Sequence, residues 1–194
     1  MSALSEIDLR ALCSRYFTWA DLIECGETWR RLQREGHAVS NLPLRDETFE
    51  AIEALARTLL DPLRERFGAV EITYGFAGPT LTKHIPKRIS PPHDQHGGFE
   101  RTARGKRVCE RGGQSCDLRV PGVEALEVAR WIRDTLPFDR MYLYGPDRPL
   151  HLSHASTGSR SIIAMRPGGR GTVPMDVTRR AWDEIAPLLA PRIG

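Results

Sequence analysis

The chain has 194 residues, 40% hydrophobic and 27% charged, with a formal net charge of +3. A chain of this length fits one domain, buries roughly 70% of its unfolded surface and needs no disulfide staples. No apolar run approaches the ~18 residues of a membrane-spanning helix, and the mild positive balance does not call for nucleic acid or a membrane surface. The N-terminus, "MSALSEIDLRALC", is charged and lacks a secretory apolar core, so a cytoplasmic location is expected. Cys13, Cys25, Cys109 and Cys116 are then thiols, and none forms the CxxC pair of a structural zinc site.

In chain order, residues 6–15 and 19–34 read as helices, the second with Thr18 as N-cap and Trp19, Leu22, Ile23, Trp29 and Leu32 at helical spacing. Residues 46–66 form a long amphipathic helix whose stripe is Phe49, Ile52, Leu55, Ala56, Leu59, Leu60 and Leu63, stopped by Gly68. "AVEITYGF" alternates like a strand. Residues 77–112 are rich in Gly, Pro, His and Arg and read as one long loop, of the kind that is functional or disordered. "CDLRV" is a short strand, and "VEALEVARWIRDTL" is a helix with Trp131 on its stripe. "DRMYLYG", "RPLHLSH" and "SIIAMRP" are strands. A short helix near 176–189 carries Trp182. The expected class is α+β: a single domain, 1–194, with helices first, then a small antiparallel sheet with one helix packed on it.

Chemistry concentrates in two histidine clusters and one carboxylate. "HDQH" places His93 and His96 in the long loop, and "HLSH" places His151 and His154 in a strand. On a strand alternate side chains share a face, so His151 and His154 point apart and one of them enters a site. Asp117 follows a tight glycine approach, "RGGQSCD". Two histidines with a carboxylate are the natural donor set of a catalytic zinc with one position left open.

These segments resemble peptidase family M15, the Hedgehog/D-Ala-D-Ala-peptidase zinc fold. "GGQSCDL" resembles the end of its SxHxxGxAxD signature, with Gly113, Ser115 and Asp117 on the Gly, small and Asp positions. "PLHLS" resembles its later WxHxx strand and puts His151 on the last ligand. Upstream, "YFTWADLIECGETWRRL", "SNLP" and "LARTLLDPLRERFGAVEITYGF" are similar to its opening helix, turn, long helix and strand. The resemblance covers about residues 16–155 in the family's order. It implies a zinc-binding fold with His96, Asp117 and His151 as ligands.

The chain also departs from the family. The position seven residues before Asp117 is Glu110, so the first ligand is expected from an insertion-split signature as His96, with His93 next and Cys109 or Glu110 as a third option. The family's base falls on Arg148. Asp147 or Glu110, or else Glu100, would then handle the proton. The family's arginine reads as alanine in "GFA", so Arg148, Arg107 or Arg111 would bring positive charge to an anionic group. The loop adds Arg101, Arg104 and Lys106, a basic surface suited to phosphate or carboxylate. Cys116 reads as a small buried side chain, and "RPGGRG" as a basic turn without a Walker lysine. The expected activity is zinc-dependent hydrolysis of an amide or related bond in a small-molecule or peptide substrate, probed at an anionic group. A metal-independent or metal-bearing binding module for an anionic partner such as nucleic acid is the other class, and non-hydrolytic metal chemistry through Cys109 a third.

Overall fold

The computed structural model describes residues 7–86, 90–168 and 171–190. Its first helices are α1 (Trp19–Ile23) and α2 (Glu27–Arg34). They are separate rather than one helix over 19–34: α1 closes at its C-cap Glu24, and Gly26, at φ +90°, turns the chain as the N-cap of α2. Thr18 caps α1 in a reciprocal box with Asp21. Residues 7–15 are not helical, which corrects the expectation there. Tertiary bonds capture that segment: the buried Asp61 carboxylate accepts from Ser14 Oγ (2.9 Å) and Arg15 N (3.0 Å), and Cys13 N donates to Phe17 O. A short helix with few intrinsic stabilisers loses to such a competitor.

The long helix spans α3 (Asp46–Leu55), a single wide turn over Ala56–Leu60, and α4 (Asp61–Phe67). The wide turn has a local cause. Pro62 has no N–H to give and crowds the preceding turn, and the π-type bond from Asp61 N to Ala56 O widens the helix there without ending it. Leu55, Ala56, Leu59, Leu60 and Leu63 remain fully buried through the bulge.

The strands are β1 (Glu71–Tyr74), β2 (Gln114–Arg119), β3 (Arg140–Leu143), β4 (Leu150–His154), β5 (Ser161–Gly168) and β6 (Gly171–Asp176). They form one six-stranded sheet in the order β1-β2-β4-β3-β5-β6. The expected α+β class holds, but the sheet is mixed, not antiparallel: β5 runs parallel to β3. β6 is a strand that sequence patterning passes over, since it is mostly exposed and contains Pro174. α5 (Ala125–Thr135) crosses from β2 to β3, and α6 (Ala186–Leu189) packs on β5.

The two faces of the sheet differ in kind. Cys116, Leu118, Met141, Leu143, Leu150, Leu152, Ile162 and Ala164 belong to the core shared with α3 and α5. The alternate residues Ser115, Asp117, Tyr142, His151 and Ser153 point to the other face. Over β2 on that side lies the turn Gln95–Gly97, part of the 77–112 segment, whose described residues hold only short 3-10 turns and one Arg101–Arg107 bridge. The chain enters β2 through Gly112 and Gly113, both near φ +70°. A Cβ on Gly113 would lie 2.2 Å from the His154 carbonyl.

Gly113→Ala should therefore lower stability by about 3 kcal/mol, combining left-handed backbone strain with a forced shift of β4. In thermal unfolding this should appear as a fall of about 6–12 °C for a chain of this size. A fall of under about 2 °C would show that the bend relaxes freely.

Candidate metal centre

Sheet register builds most of the site. Tyr74 pairs with Asp117, Asp117 with His151, and His151 with Tyr142. Four neighbouring strands thus contribute one continuous row of side chains on the face away from the helices. His96 is laid over this row from the Gln95–Gly97 turn. Asp94 caps that turn by accepting from His96 N (3.2 Å).

His96, Asp117 and His151 offer one ligand atom each, all within 4.8 Å of one another. His96 Nε2 lies 3.5 Å, and His151 Nδ1 2.8 Å, from Asp117 Oδ1. Ligands at about 2.0–2.1 Å around a tetrahedral ion stand roughly 3.3 Å apart, so this spacing brackets what an ion needs. The tautomer of His96 is set by its surroundings. Nδ1 is 2.8 Å from the Gly75 carbonyl, which can only accept, so Nδ1 carries a proton; Nε2 donates to Asp117 when the ring is charged and, in the neutral ring, is the nitrogen left to bind an ion. That bond depends on close backbone approach: a Cβ on Gly75 would meet the Leu22 carbonyl at 2.2 Å. These three residues could hold a metal ion.

The histidine side chains are 4% and 9% exposed, whereas that of Asp117 is 28% exposed, which leaves the cluster one open side. Aromatic rings enclose it. Tyr74 lies 4.3 Å from His96, and Tyr142 stands edge-on to His151 at 5.1 Å, centroid to centroid. Burial alone would raise the Asp117 pKa, but His96 and His151 together hold it well below the usual carboxylate range. For His96, burial pulls downward, and Asp117, Asp94 and the Gly75 carbonyl more than offset it, so the imidazole sits above its ordinary value. Burial, then the charges of Asp117, Tyr142 and Asp94, push the Tyr144 hydroxyl up.

The other expected site residues lie elsewhere. His93 is exposed, and its carbonyl accepts from Arg111. His154 sits opposite Gln114, past the site on β4. Cys109 is buried with its thiol against the Pro92 carbonyl, and burial pushes its pKa up. Cys116 faces the core. Glu100 is buried under α3, accepting from Leu44 N and Thr48 Oγ1. Glu110 is exposed and paired with Lys106. Asp147 and Arg148 are exposed in the turn before β4, beside Glu71 and Arg119. No hydrogen bond or ion pair among the described residues joins Glu110, Asp147 or Arg148 to the cluster. The carboxylate that sequence reasoning passed over is Asp94, whose charge acts on both His96 and Tyr144. Its signal was its place inside "HDQH". Tyr142 was also missed, although the alternation of "RMYLY" puts it on the His151 face.

No family model, curated protein or solved structure matches the chain. No helix among the described residues is long and apolar enough to cross a membrane.

In chelator-treated protein, Asp117 contributes stability above about pH 3.9, lost as pH falls toward its depressed value. His96 contributes stability in full below about pH 6.5, lost as pH rises through its elevated value. The melting-temperature difference between wild type and Asp117→Asn should therefore peak between about pH 4 and 6.5 and shrink above about pH 8. A difference that is flat across this range would mean that carboxylate and imidazole do not interact.

Proposed function

We propose that the chain is a divergent member of the M15, or Hedgehog/D-Ala-D-Ala-peptidase, group. On this reading it is a zinc-dependent hydrolase acting on an amide or related bond of a small or modified anionic substrate. The observation that carries the reading is the convergence of His96, Asp117 and His151 on one point, with the His96 tautomer fixed by Gly75. The donors are two imidazoles and one carboxylate, the set that suits catalytic zinc, although iron, manganese or nickel also accept it. When bound, the ion supplies Lewis acidity at the open side of the cluster. The four free, buried thiols suit a reducing cytoplasm.

The chain's own residues divide the remaining work. Gly75 and Asp94 orient His96 through its side chain and backbone. Asp117 supplies negative charge that two imidazoles keep ionised. Asp147 or Glu110 would handle the proton, and both are exposed, with Glu110 paired to Lys106. The position of those two favours one second reading: a binding module that keeps the fold and the metal without turnover.

Elemental analysis of wild type and His151→Ala, followed by hydrolysis of a panel of short peptides, separates the two. Near-stoichiometric zinc that is lost in His151→Ala, together with turnover, is the expected result. Wild-type protein that takes up no divalent metal would sink the reading, and metal without turnover would favour the module. Asp147→Asn or Glu110→Gln should keep its zinc and lose about 10²–10⁴-fold in kcat, the usual worth of a positioned acid–base group. If neither carries that loss, these two carboxylates do not handle the proton.

A further inference from the structure

Arg111 is a half-buried cation bonded to Tyr142, whose ring meets His151. Its Nη1 donates to the His93 carbonyl (3.2 Å) and to Tyr142 Oη (3.1 Å). Neither acceptor is a carboxylate, and no ion pair joins Arg111 to a described acid. The guanidinium is thus held by two neutral oxygens. Its remaining N–H donors keep the planar fork geometry that matches an oxyanion.

Tyr142 completes the arrangement. Its oxygen accepts from Arg111, and its own O–H makes no hydrogen bond to a described residue. Its ring stands edge-on to His151, in the same cross-strand row as Asp117. The pair therefore presents a positive charge and an adjacent hydroxyl beside His151. The same loop carries Arg101, Arg104, Lys106 and Arg107 in an exposed stretch around the Arg101–Arg107 bridge, which raises the potential felt by an approaching anion.

We propose that Arg111 and Tyr142 form an oxyanion-binding subsite that grips a carboxylate or phosphate group of the substrate next to the bond presented at the cluster. This rests on the functional reading above for its place in catalysis, but not for the binding itself. The guanidinium gives charge and fork geometry, and the phenol gives one directed hydrogen bond. The exposed basic residues steer without holding.

The test uses metal-free protein, so that it is independent of zinc. Inorganic phosphate and acetate are titrated separately by calorimetry and by NMR of the arginine side chains. Wild type should bind at least one of them, with the Arg111 signal shifting, and the tighter anion identifies whether phosphate or carboxylate is the substrate group. Arg111→Ala should weaken binding by about tenfold or more, and Tyr142→Phe by about tenfold, as expected for hydrogen bonds to a charged group. Arg111→Lys keeps the charge but loses the fork, and should fall between wild type and Arg111→Ala. Arg104→Ala on the exposed stretch should change affinity by less than about twofold, since solvated charges are screened. Zinc content should be unchanged in all four variants. The proposal is overturned if wild type binds neither anion, if the folded Arg111→Lys and Arg111→Ala proteins bind as wild type does, or if Arg104→Ala loses as much as Arg111→Ala. Anion binding that depends on Arg111 in a protein that takes up no zinc would uphold the subsite while removing the hydrolase reading.

Discussion

The hydrogen bond from His96 to the Gly75 carbonyl ties the two halves of the site together. Asp117 and His151 come from strands whose register is fixed by a hydrophobic opposite face, so a slip of one residue would bury the carboxylate among leucines. His96 has no such guarantee, because it rides on a turn in a segment whose described residues form no regular strand or long helix. The carbonyl at the end of β1 anchors it. That carbonyl is in reach because residue 75 has no side chain to keep the chain away from the Leu22 carbonyl and the Cys25 thiol. The same approach lets Phe76 N donate to Leu22 O at 2.7 Å. One glycine therefore couples α1, β1 and the loop turn, and through them the third corner of the cluster.

A buried carboxylate between two imidazoles is a poor device for stability alone. Desolvating the charge costs several kcal/mol, and attraction to a partner returns that only with good geometry and further hydrogen bonds. Apolar residues at these three positions would pack on Tyr74 and Tyr142 without such a cost. Opposed shifts, a depressed acid beside an elevated base, are what attraction between the carboxylate and the imidazoles produces. The partial exposure of Asp117 fits the same view, since a purely structural pair has no need of an open side. Elsewhere the fold handles buried polar groups conventionally. Asp139, also buried, accepts from Gln95 Nε2 and Ser159 N, and so helps hold the turn that bears His96 against β3.

The parts of this arrangement legible in the sequence are those governed by period. Alternation in "CDLRV" and "RPLHLSH" gave the strands and set His151 apart from His154, and the glycine pair before Asp117 announced the bend that Gly112 and Gly113 make. The long helix was equally plain, although its π turn required weighing Pro62 against an otherwise unbroken stripe. What escaped depended on long-range partners. Residues 7–15 have a helical pattern, yet Asp61, far along the chain, captures their backbone. The parallel pairing of β3 with β5 is decided by where residues 155–160 carry the chain, which no local pattern encodes. β6 lacks an alternating apolar face because it is an exposed edge. Asp94 and Tyr142 carried usable signals, but their importance appears only when the turn folds over the sheet.

The 77–112 segment ends up with two duties that are usually separated. It supplies His96, a corner of the cluster, and, near its other end, Arg111, which reaches across to Tyr142 on β3. Between them the backbone is pinned by Phe99 N to Thr48 Oγ1, by Glu100 to Leu44 N and Thr48, and by Val108 N to Glu100 O. The bonds to Leu44 and Thr48 lie at the start of α3, whose Ile52 and Leu55 are fully buried. The segment is thus irregular in backbone yet held at several points by a rigid element, which is how a loop can position chemistry to within tenths of an ångström. Because both functional residues share that anchor, loosening Thr48 or Glu100 would disturb the His96 corner and the Arg111 subsite together. A change at His151 or Asp117 would leave Arg111 where it is, so the anchor and the cluster are physically separable features of the same loop.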